Sequence, residues 1–518
     1  MYLIRNILVP IAKEIDLLKA LSNKLNISAK HFSNIQTIRR SIDARKKNFL
    51  KYNFTLITDI DFNIKLDNEV QKYSTPQPYI NGSIKLSNPH PFIIGAGPAG
   101  LFAALSLVEK GFQPYIFDRG ETIDLRAKKV EKFWQKGILD ENSNVQFGEG
   151  GAGTFSDGKL TSRTRDYYTN QIIEYLIKFG ADESIRFDAL PHLGTDGLRN
   201  IIIRLRKYLI EKGCRFFWNS KLENIRIENN DVTEITINKE KYSPEILILA
   251  IGNSARDTFI MLKNKIEMEN KSFAVGFRIE HSQEFINNAF YGEKTDFSLT
   301  GPATYRLTAK YKDKGIYSFC MCPGGFILAG SSEQNSLVLN GMSYKKRDNI
   351  FANSAIVATI NRNDFGDDIF AGMKYQQFIE KKCFNDSKLI FAPSQNADDF
   401  MKNSFSSDQK LTSFQPGLFQ HDLNQIFSQN IIKAIKFGLT KFDNRIPGFI
   451  DNGLLLAPET RTSSPIRLLR ELETFLANGI SNLYPVGEGS GYAGGIMSSA
   501  ADGYKCGYLF TPSLDSIK

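Results

Sequence analysis

Sulfur is scarce in this chain. Its five cysteines, Cys214, Cys320, Cys322, Cys383 and Cys506, are spread over 518 residues. A sparse, odd set of this kind excludes a disulfide framework. No pair has Cys-x-x-Cys spacing and the five histidines are scattered, so no metal site is expected. Long apolar runs are also missing, and none approaches the roughly 18 residues that a membrane span needs. The opening "MYLIRNILVPIAK" carries one early Arg and no small-residue cleavage site. It predicts a strand and not a signal peptide, with a cytoplasmic location as the default. Internal repeats and low-complexity tracts are lacking as well.

What remains has the balance of a soluble globular protein, with 42% apolar and 23% charged residues. The length allows two to four domains. The net charge is +9, and residues 1–80 hold 13 Lys+Arg against 7 Asp+Glu. A basic surface of that kind suits an acidic partner such as RNA, or is simply solvated. No aromatic residues interleave with the run "RRSIDARKK" in a stacking pattern, so nucleic acid is the less favoured partner.

Residues 2–11 read as a strand and 13–25 as an amphipathic helix, with "IQTIRRSIDAR" and "NFTLITDIDFNI" strand-like after them. This predicts a small α/β domain over residues 1–78. A segment rich in Pro, Ser, Asn and Gly follows and ends near Pro91. Helices are expected at 121–136, 168–179 and 196–212. Short strands follow, up to the buried-strand pattern "EILILAIG". Residues 272–445 are mixed, and the tail holds a strand, a Gly-rich turn and a terminal helix.

The most informative stretch is "PFIIGAGPAGLFAALSLVEKGFQPYIFDRG", residues 91–120. Gly95, Gly97 and Gly100 form Gly-x-Gly-x-x-Gly between a strand and a helix. The first Gly permits a tight turn, the second admits a pyrophosphate, and the third allows close helix–strand packing. The helix N-terminus adds free N–H groups and partial positive charge. Asp118 follows 21 residues after Gly97, where a carboxylate meets a ribose 2′-hydroxyl. An acid there disfavours a 2′-phosphate, which leaves FAD or NAD. No second Gly-x-Gly-x-x-Gly opens a βαβ unit, so a dedicated NAD(P)H domain is not expected.

Several motifs resemble glutathione-reductase-like flavoproteins and favour FAD. They are "GPAG" with Pro98 and Ala99, and "DRG" with Asp118 and Arg119. Ala250 and Gly252 end "EILILAIG", where Ile251 replaces the usual Thr. Gly487 and Glu488 stand where that superfamily carries Gly-Asp, its acid on the ribityl chain. Leu222 falls at an apolar position beside the adenine. Gly495 and Ile496 open a terminal helix aimed at the flavin. The stretch "QFGEGGAGTFSDGKL" brings Glu149, Gly150, Gly151 and Asp157, glycines to lie against the cofactor and acids for the ribityl chain or the mouth of the site. With "PHLGTDGL", "YSFCMCPGG", "ETRTSSPIR" and "GEGSGYAGGIMSSAADG", the chain resembles the bacterial family of FAD-dependent dehydrogenases (NAD(P)/FAD-dependent oxidoreductases).

The resemblance implies an α/β Rossmann-like FAD-binding domain, discontinuous over 88–275 and 446–518, with a substrate (α+β cap) domain at 276–445. It implies a redox enzyme acting on a small molecule, with NAD(P)H as a transient electron donor. A flavin-bearing RNA-binding or RNA-modifying protein is the alternative. Candidate catalytic residues are Cys320 and Cys322, which a regular strand places on one face about 6.6 Å apart, either as substrate-lining thiols or as a redox pair. Arg461 is a candidate to hold a carboxylate or phosphate, or else to brace two domains. His192 is a proton donor or a structural histidine.

Overall fold

The computed structural model describes every residue except 13, 81, 83, 162–164, 386–389, 407 and 514–518. Position 13 of the expected first helix and positions 81 and 83 of the expected linker therefore lie outside the described residues.

A parallel five-stranded sheet carries the Gly-rich turn. Its strands run in the order Leu483–Pro485, Leu247–Leu249, Phe92–Ile94, Tyr115–Phe117 and Arg215–Phe217. The three innermost strands are almost wholly buried, which explains their unbroken Ile, Leu and Phe content. From the first of them, Phe92–Ile94, the order proceeds to both sides. That makes a switch point, and a crevice opens at the carboxyl ends of the strands there.

Two helices fill one layer beside this sheet. Pro98–Glu109 starts at once after the turn, with Pro at its first position, where a missing N–H costs nothing. The terminal helix Ile496–Tyr508 lies against it. Their contact is close enough that a Cβ at Gly503 would meet the Ala99 carbonyl oxygen at 1.9 Å, and one at Gly507 the Ala103 carbonyl oxygen at 2.7 Å.

A second sheet has seven strands, ordered Thr308–Tyr311, Lys314–Cys322, Phe351–Ile360, Phe273–Ser282, Leu454–Glu459, Ala392–Asn396 and Leu418–Gln420. The expected cap boundaries at 276 and 445 divide this sheet. Strand Phe273–Ser282 crosses the first boundary, and Leu454–Glu459 lies beyond the second yet pairs with it, Arg278 opposite Leu456. Pairing between residues so distant in sequence leaves no local mark. Helix Gln429–Asp443 packs on this sheet, where a Cβ at Gly438 would meet Ile316 at 2.4 Å.

The N-terminal unit is an antiparallel sheet ordered Phe32–Asp43, Lys51–Ile60, Tyr2–Pro10, Val70–Lys72, covered by helix Leu17–Leu25. Asp16 caps that helix through the Lys19 N–H at 2.9 Å. The unit is docked at two places. Arg40 exchanges backbone bonds with Phe187 and Ala189, and its guanidinium pairs with Asp188 at 2.7 Å. Asn48 donates its N–H to the Tyr291 carbonyl at 2.8 Å, and the Tyr52 hydroxyl donates to the Leu299 carbonyl at 2.9 Å. Part of the basic run is therefore an internal contact. Among the described residues, no helix is long and apolar enough to cross a membrane.

Gly503→Ala is expected to destabilise the protein by about 1–3 kcal/mol through overpacking, whereas Gly494→Ala, with no atom within 4 Å of its Cβ position, stays within about 1 kcal/mol of the parent. Urea unfolding of the two variants measures the difference.

Candidate cofactor site

The glycines at the sheet crevice divide into two sets by what a side chain would meet. Gly95 (φ +105°) and Gly100 are closed in: a Cβ would approach the Ala250 carbonyl oxygen at 2.3 Å and the Gly95 carbonyl oxygen at 1.9 Å. These two shape the turn. Gly97, Gly252, Gly494 and Gly495 face open space instead. The nearest atom to a Cβ at Gly97 is the Gly151 Cα at 3.8 Å, and at the other three nothing lies within 4 Å. The open set stands at the turn after Phe92–Ile94, just past the end of strand Leu247–Leu249 and at the start of the terminal helix, and we call the space these glycines face the trough. Both helices that begin there, at Gly97 and Gly495, lack a side-chain cap and have no acid in the first turn. Their free N–H groups and dipole ends suit anionic or hydrogen-bond-accepting ligand atoms. A cradle that backbone leaves open and that donors line fits an extended dinucleotide such as FAD.

The Gly-rich stretch 147–160 forms the opposite wall. The Gly150 N–H donates to the Ala96 carbonyl at 2.8 Å, and Gly151 (φ +60°) lies against Gly97 and Pro98. Further on, Gly153 meets the Ile496 side chain at the start of the terminal helix. What holds this loop is Arg126, which is fully buried. Its guanidinium donates to the carbonyls of Asn144 (2.7 Å), Val145 (2.7 Å), Glu149 (2.6 Å) and Gly151 (3.0 Å) and to the Thr154 hydroxyl (2.9 Å). Burial lowers its pKa to about 9, so it stays charged at neutral pH. Nothing in the amphipathic pattern of its helix marked it, although an arginine on that helix's buried face was a signal.

Several acids have other tasks than those expected. Asp118 accepts from the Ala96 N–H through one oxygen and from the Gly120 N–H through the other, both at 2.8 Å. It pins the turn to the second strand, and each oxygen keeps one further lone pair. Glu149 is fully buried, accepts from the Ile123 N–H at 2.7 Å and pairs with Arg206 at 3.2 Å. It serves the start of helix Ile123–Lys136 while its other oxygen is without a partner, and burial pushes its pKa up to about 7. Asp157 is paired with Arg347 at 2.9 Å and 2.5 Å, across to the seven-stranded sheet's side of the molecule. Glu488 is half-buried. One of its oxygens accepts from Asn253 at 2.8 Å, and burial pushes its pKa up to about 7.

Arg119 donates to Asp257 and Thr258 and stacks over Phe147 at 4.4 Å. Leu222 is buried in the core, paired with Ile237. Ala250 and Gly252 sit at the end of their strand beside Gly95 and Gly489, and Gly487 (φ +78°) is held by its N–H to Asp502 at 2.7 Å.

Arg461 is committed to a buried ion cluster. Its Nε and Nη2 donate to Glu380 at 3.1 and 2.9 Å, and its Nη1 to Ser254 and Ser332 at 3.1 and 2.6 Å. Arg256 grips the same carboxylate with two bonds of 2.8 Å. The two guanidiniums outweigh burial and hold the Glu380 pKa down at about 2. His192 donates its Nε2–H to the Lys345 carbonyl at 3.1 Å, and burial lowers its pKa.

The two thiols of "YSFCMC" do not share a regular strand face. A bulge between Phe319 and Cys322 puts Cys320 in the left-handed region (φ +44°), and the Cys322 thiol turns to the Cys320 carbonyl at 3.3 Å. Both are unpaired; Cys320 is exposed and Cys322 buried. Lys159, the end of the Gly-rich stretch, donates to the Met321 carbonyl in this bulge. The wall of the trough is thus joined directly to the second sheet.

Comparison with known proteins now bears on this geometry. An uncharacterised protein of Clostridium beijerinckii is 39% identical over 524 residues, covering 97% of each chain. The model of the FAD-dependent protein, C-terminal domain-like family matches residues 272–462, a span that takes in every strand of the seven-stranded sheet. The chain belongs to one family with the Clostridium beijerinckii protein, and residues 272–462 carry the FAD-dependent protein, C-terminal domain-like segment. A domain of unknown function, DUF8436, matches residues 1–58. Solved structures that the chain matches include CtdE in complex with FAD, at 10% identity, TM-score 0.31 and coverage of 82% of this chain and 83% of that one. A geranylgeranyl bacteriochlorophyll reductase-like protein from Thermoplasma acidophilum has 11% identity and a TM-score of 0.34, covering 82% and 77%. Likenesses of this strength bear on neither substrate nor chemistry.

Two acids give opposite pH signatures. Glu380, held below its ordinary value of 4.5, contributes stability that is complete above about 4.5 and is lost as pH falls toward about 2. Glu149, raised to about 7, weighs against folding increasingly as pH rises from 4.5 to 7. Glu380→Gln should cost about 3–5 kcal/mol at neutral pH, because it leaves the buried Arg461 without a carboxylate and Arg256 with Glu333 alone. Glu149→Gln should flatten the slope of stability between those two pH values. Urea titrations over a pH series check both.

Proposed function

We propose that this protein is an FAD-dependent oxidoreductase whose bound flavin exchanges a hydride with a small-molecule substrate held between the trough and the seven-stranded sheet. The observation that carries the reading is the row of open glycines, Gly97, Gly252, Gly494 and Gly495, bordered by two uncapped helix N-termini. When bound, FAD supplies two-electron chemistry at its N5 atom. The chain's own residues supply the rest. The N–H groups after Gly97 receive a pyrophosphate, and those after Gly495 face a flavin edge that gains negative charge on reduction. Glu488, with one oxygen free, accepts a hydroxyl of the ribityl chain. Asp118 retains the lone pairs for a ribose hydroxyl while holding the turn.

A glutathione-reductase-like placement of the cofactor is our finer reading. Its support is the convergence of the ends of strands Phe92–Ile94, Leu247–Leu249 and Leu483–Pro485 at one crevice. We assign the nucleotide-binding part to 88–275 with the tail, and the substrate side to the seven-stranded sheet, with its edges shifted as the pairing requires. NAD(P)H reaches the flavin through the same cleft as a transient donor. Five unpaired thiols support a reducing, cytoplasmic setting.

The absorbance spectrum of the purified protein tests the reading. Flavin bands are expected, with bleaching on addition of NADH or NADPH under argon. A colourless protein that cannot be reconstituted with FAD contradicts it. Gly97→Val sharpens the test, since the open space at Gly97 leaves the fold intact while the side chain occupies the cofactor's place. Normal unfolding with loss of at least about 90% of FAD occupancy is expected; full occupancy contradicts the assignment.

A further inference from the structure

The corner where the Gly-rich stretch meets the seven-stranded sheet is rich in charge and holds one cation without a carboxylate partner among the described residues. Three cations gather there, Lys159, Arg278 and Arg347, with the carboxylates of Asp157 and Glu459 and, on the strand of Arg278, that of Glu280, whose pKa burial raises. Arg278 pairs with Glu459 at 3.0 Å and Arg347 with Asp157 at 2.5 Å. Lys159 donates to the Met321 carbonyl and has no carboxylate partner among the described residues. His192, beside Arg347, has its pKa lowered and adds no charge. Both Cys320 and Cys322 lie within the electrostatic reach of Lys159 and Arg278, which places all of these groups in one corner.

Two hydrogen-bond donors there are also unused. Arg278 and Asn353 are both fully buried, and the Nη2 of Arg278 and the Nδ2 of Asn353 have no partner. The two side chains touch, Nη1 to Oδ1 at 2.6 Å, and Arg278 Nη1 lies 3.5 Å from the Cys320 carbonyl. Unpartnered buried donors are rare because each forfeits its hydration. Above them sits Cys320, exposed and in a left-handed conformation that a non-glycine residue rarely adopts.

We propose that this corner binds a carboxylate of the substrate, with Lys159 as the countercharge and the free N–H groups of Arg278 and Asn353 as donors that a shift of the Cys320 bulge uncovers. The proposal rests on the flavin reading above and names the substrate's chemistry. The ammonium of Lys159, with no carboxylate partner among the described residues, matches an anion, and planar donors match a carboxylate.

The exposed Cys320 serves as reporter, because the four other cysteines are buried. The FAD-loaded protein is alkylated with iodoacetate, itself a carboxylate, and with its neutral analogue iodoacetamide, in the presence and absence of benzoate. Peptide mapping reads the rate at Cys320. Benzoate is expected to protect Cys320 in the parent protein. The iodoacetate-to-iodoacetamide rate ratio should fall about tenfold in Lys159→Met and be retained in Lys159→Arg. Asn353→Ala, which removes a donor and no charge, should weaken benzoate protection and keep the ratio. An unchanged ratio in Lys159→Met, or absence of benzoate protection in the parent, overturns the proposal. Undiminished protection in Asn353→Ala overturns the donor assignment. Absence of flavin bands defeats the cofactor reading alone, since the alkylation ratio is still measurable on the protein without flavin.

Discussion

A guanidinium without access to water shapes the cofactor trough. Arg126 reaches from its helix into a loop that has no regular structure and collects four of that loop's carbonyls and one hydroxyl. A loop of glycines has little reason to hold one conformation, since each glycine gives up more backbone freedom on ordering than any other residue. Here a single buried cation replaces the missing side-chain packing. Its cost in desolvation is offset by charge-assisted bonds, five of which are 3.0 Å or shorter. The position of Gly150 and Gly151 against the first turn follows from that arrangement, and the trough follows from theirs.

The second constraint is the cluster of Arg256, Glu380 and Arg461. Arg256 opens a helix that follows the Leu247–Leu249 strand, while Glu380 and Ser332 come from elements around the other sheet. Buried ion pairs are poor sources of net stability, but they are sensitive to geometry. A cluster with two guanidiniums on one carboxylate fixes how the two sheets face each other. The Asp157–Arg347 pair does the same at the opposite wall, so the space between the sheets is bounded by charged contacts on two sides.

The first turn and the parallel strands were legible in the residues because their determinants are local. Gly95, Gly97 and Gly100 sit next to an apolar strand and a helix, and three short apolar runs mark the inner strands. The partners of Glu149 and Asp157 were not legible, and for Arg461 a bracing role was one of two open readings, because the residues they meet lie far along the chain. Arg347 is 190 residues from Asp157, and Glu380 is 81 from Arg461. The same holds for Cys320 and Cys322. Their apparent common face assumed a regular strand, and the bulge depends on register with a strand that begins at Phe351. One signal was available and went unused: Arg278 and Glu280 stand two apart in the otherwise apolar "FAVGFRIEH", so both point to one buried face.

The N-terminal unit touches both halves of the molecule, at Asp188 through Arg40 and at Tyr291 and Leu299 through Asn48 and Tyr52. A body attached at one point rides along with its host, but a body attached at two becomes a crossbar. Swinging one half away from the other would require breaking the backbone bonds at one of those attachments. Traffic of ligands in and out of the trough must therefore depend on small local movements, such as those of the Cys320 bulge, and not on a wide jaw-like opening.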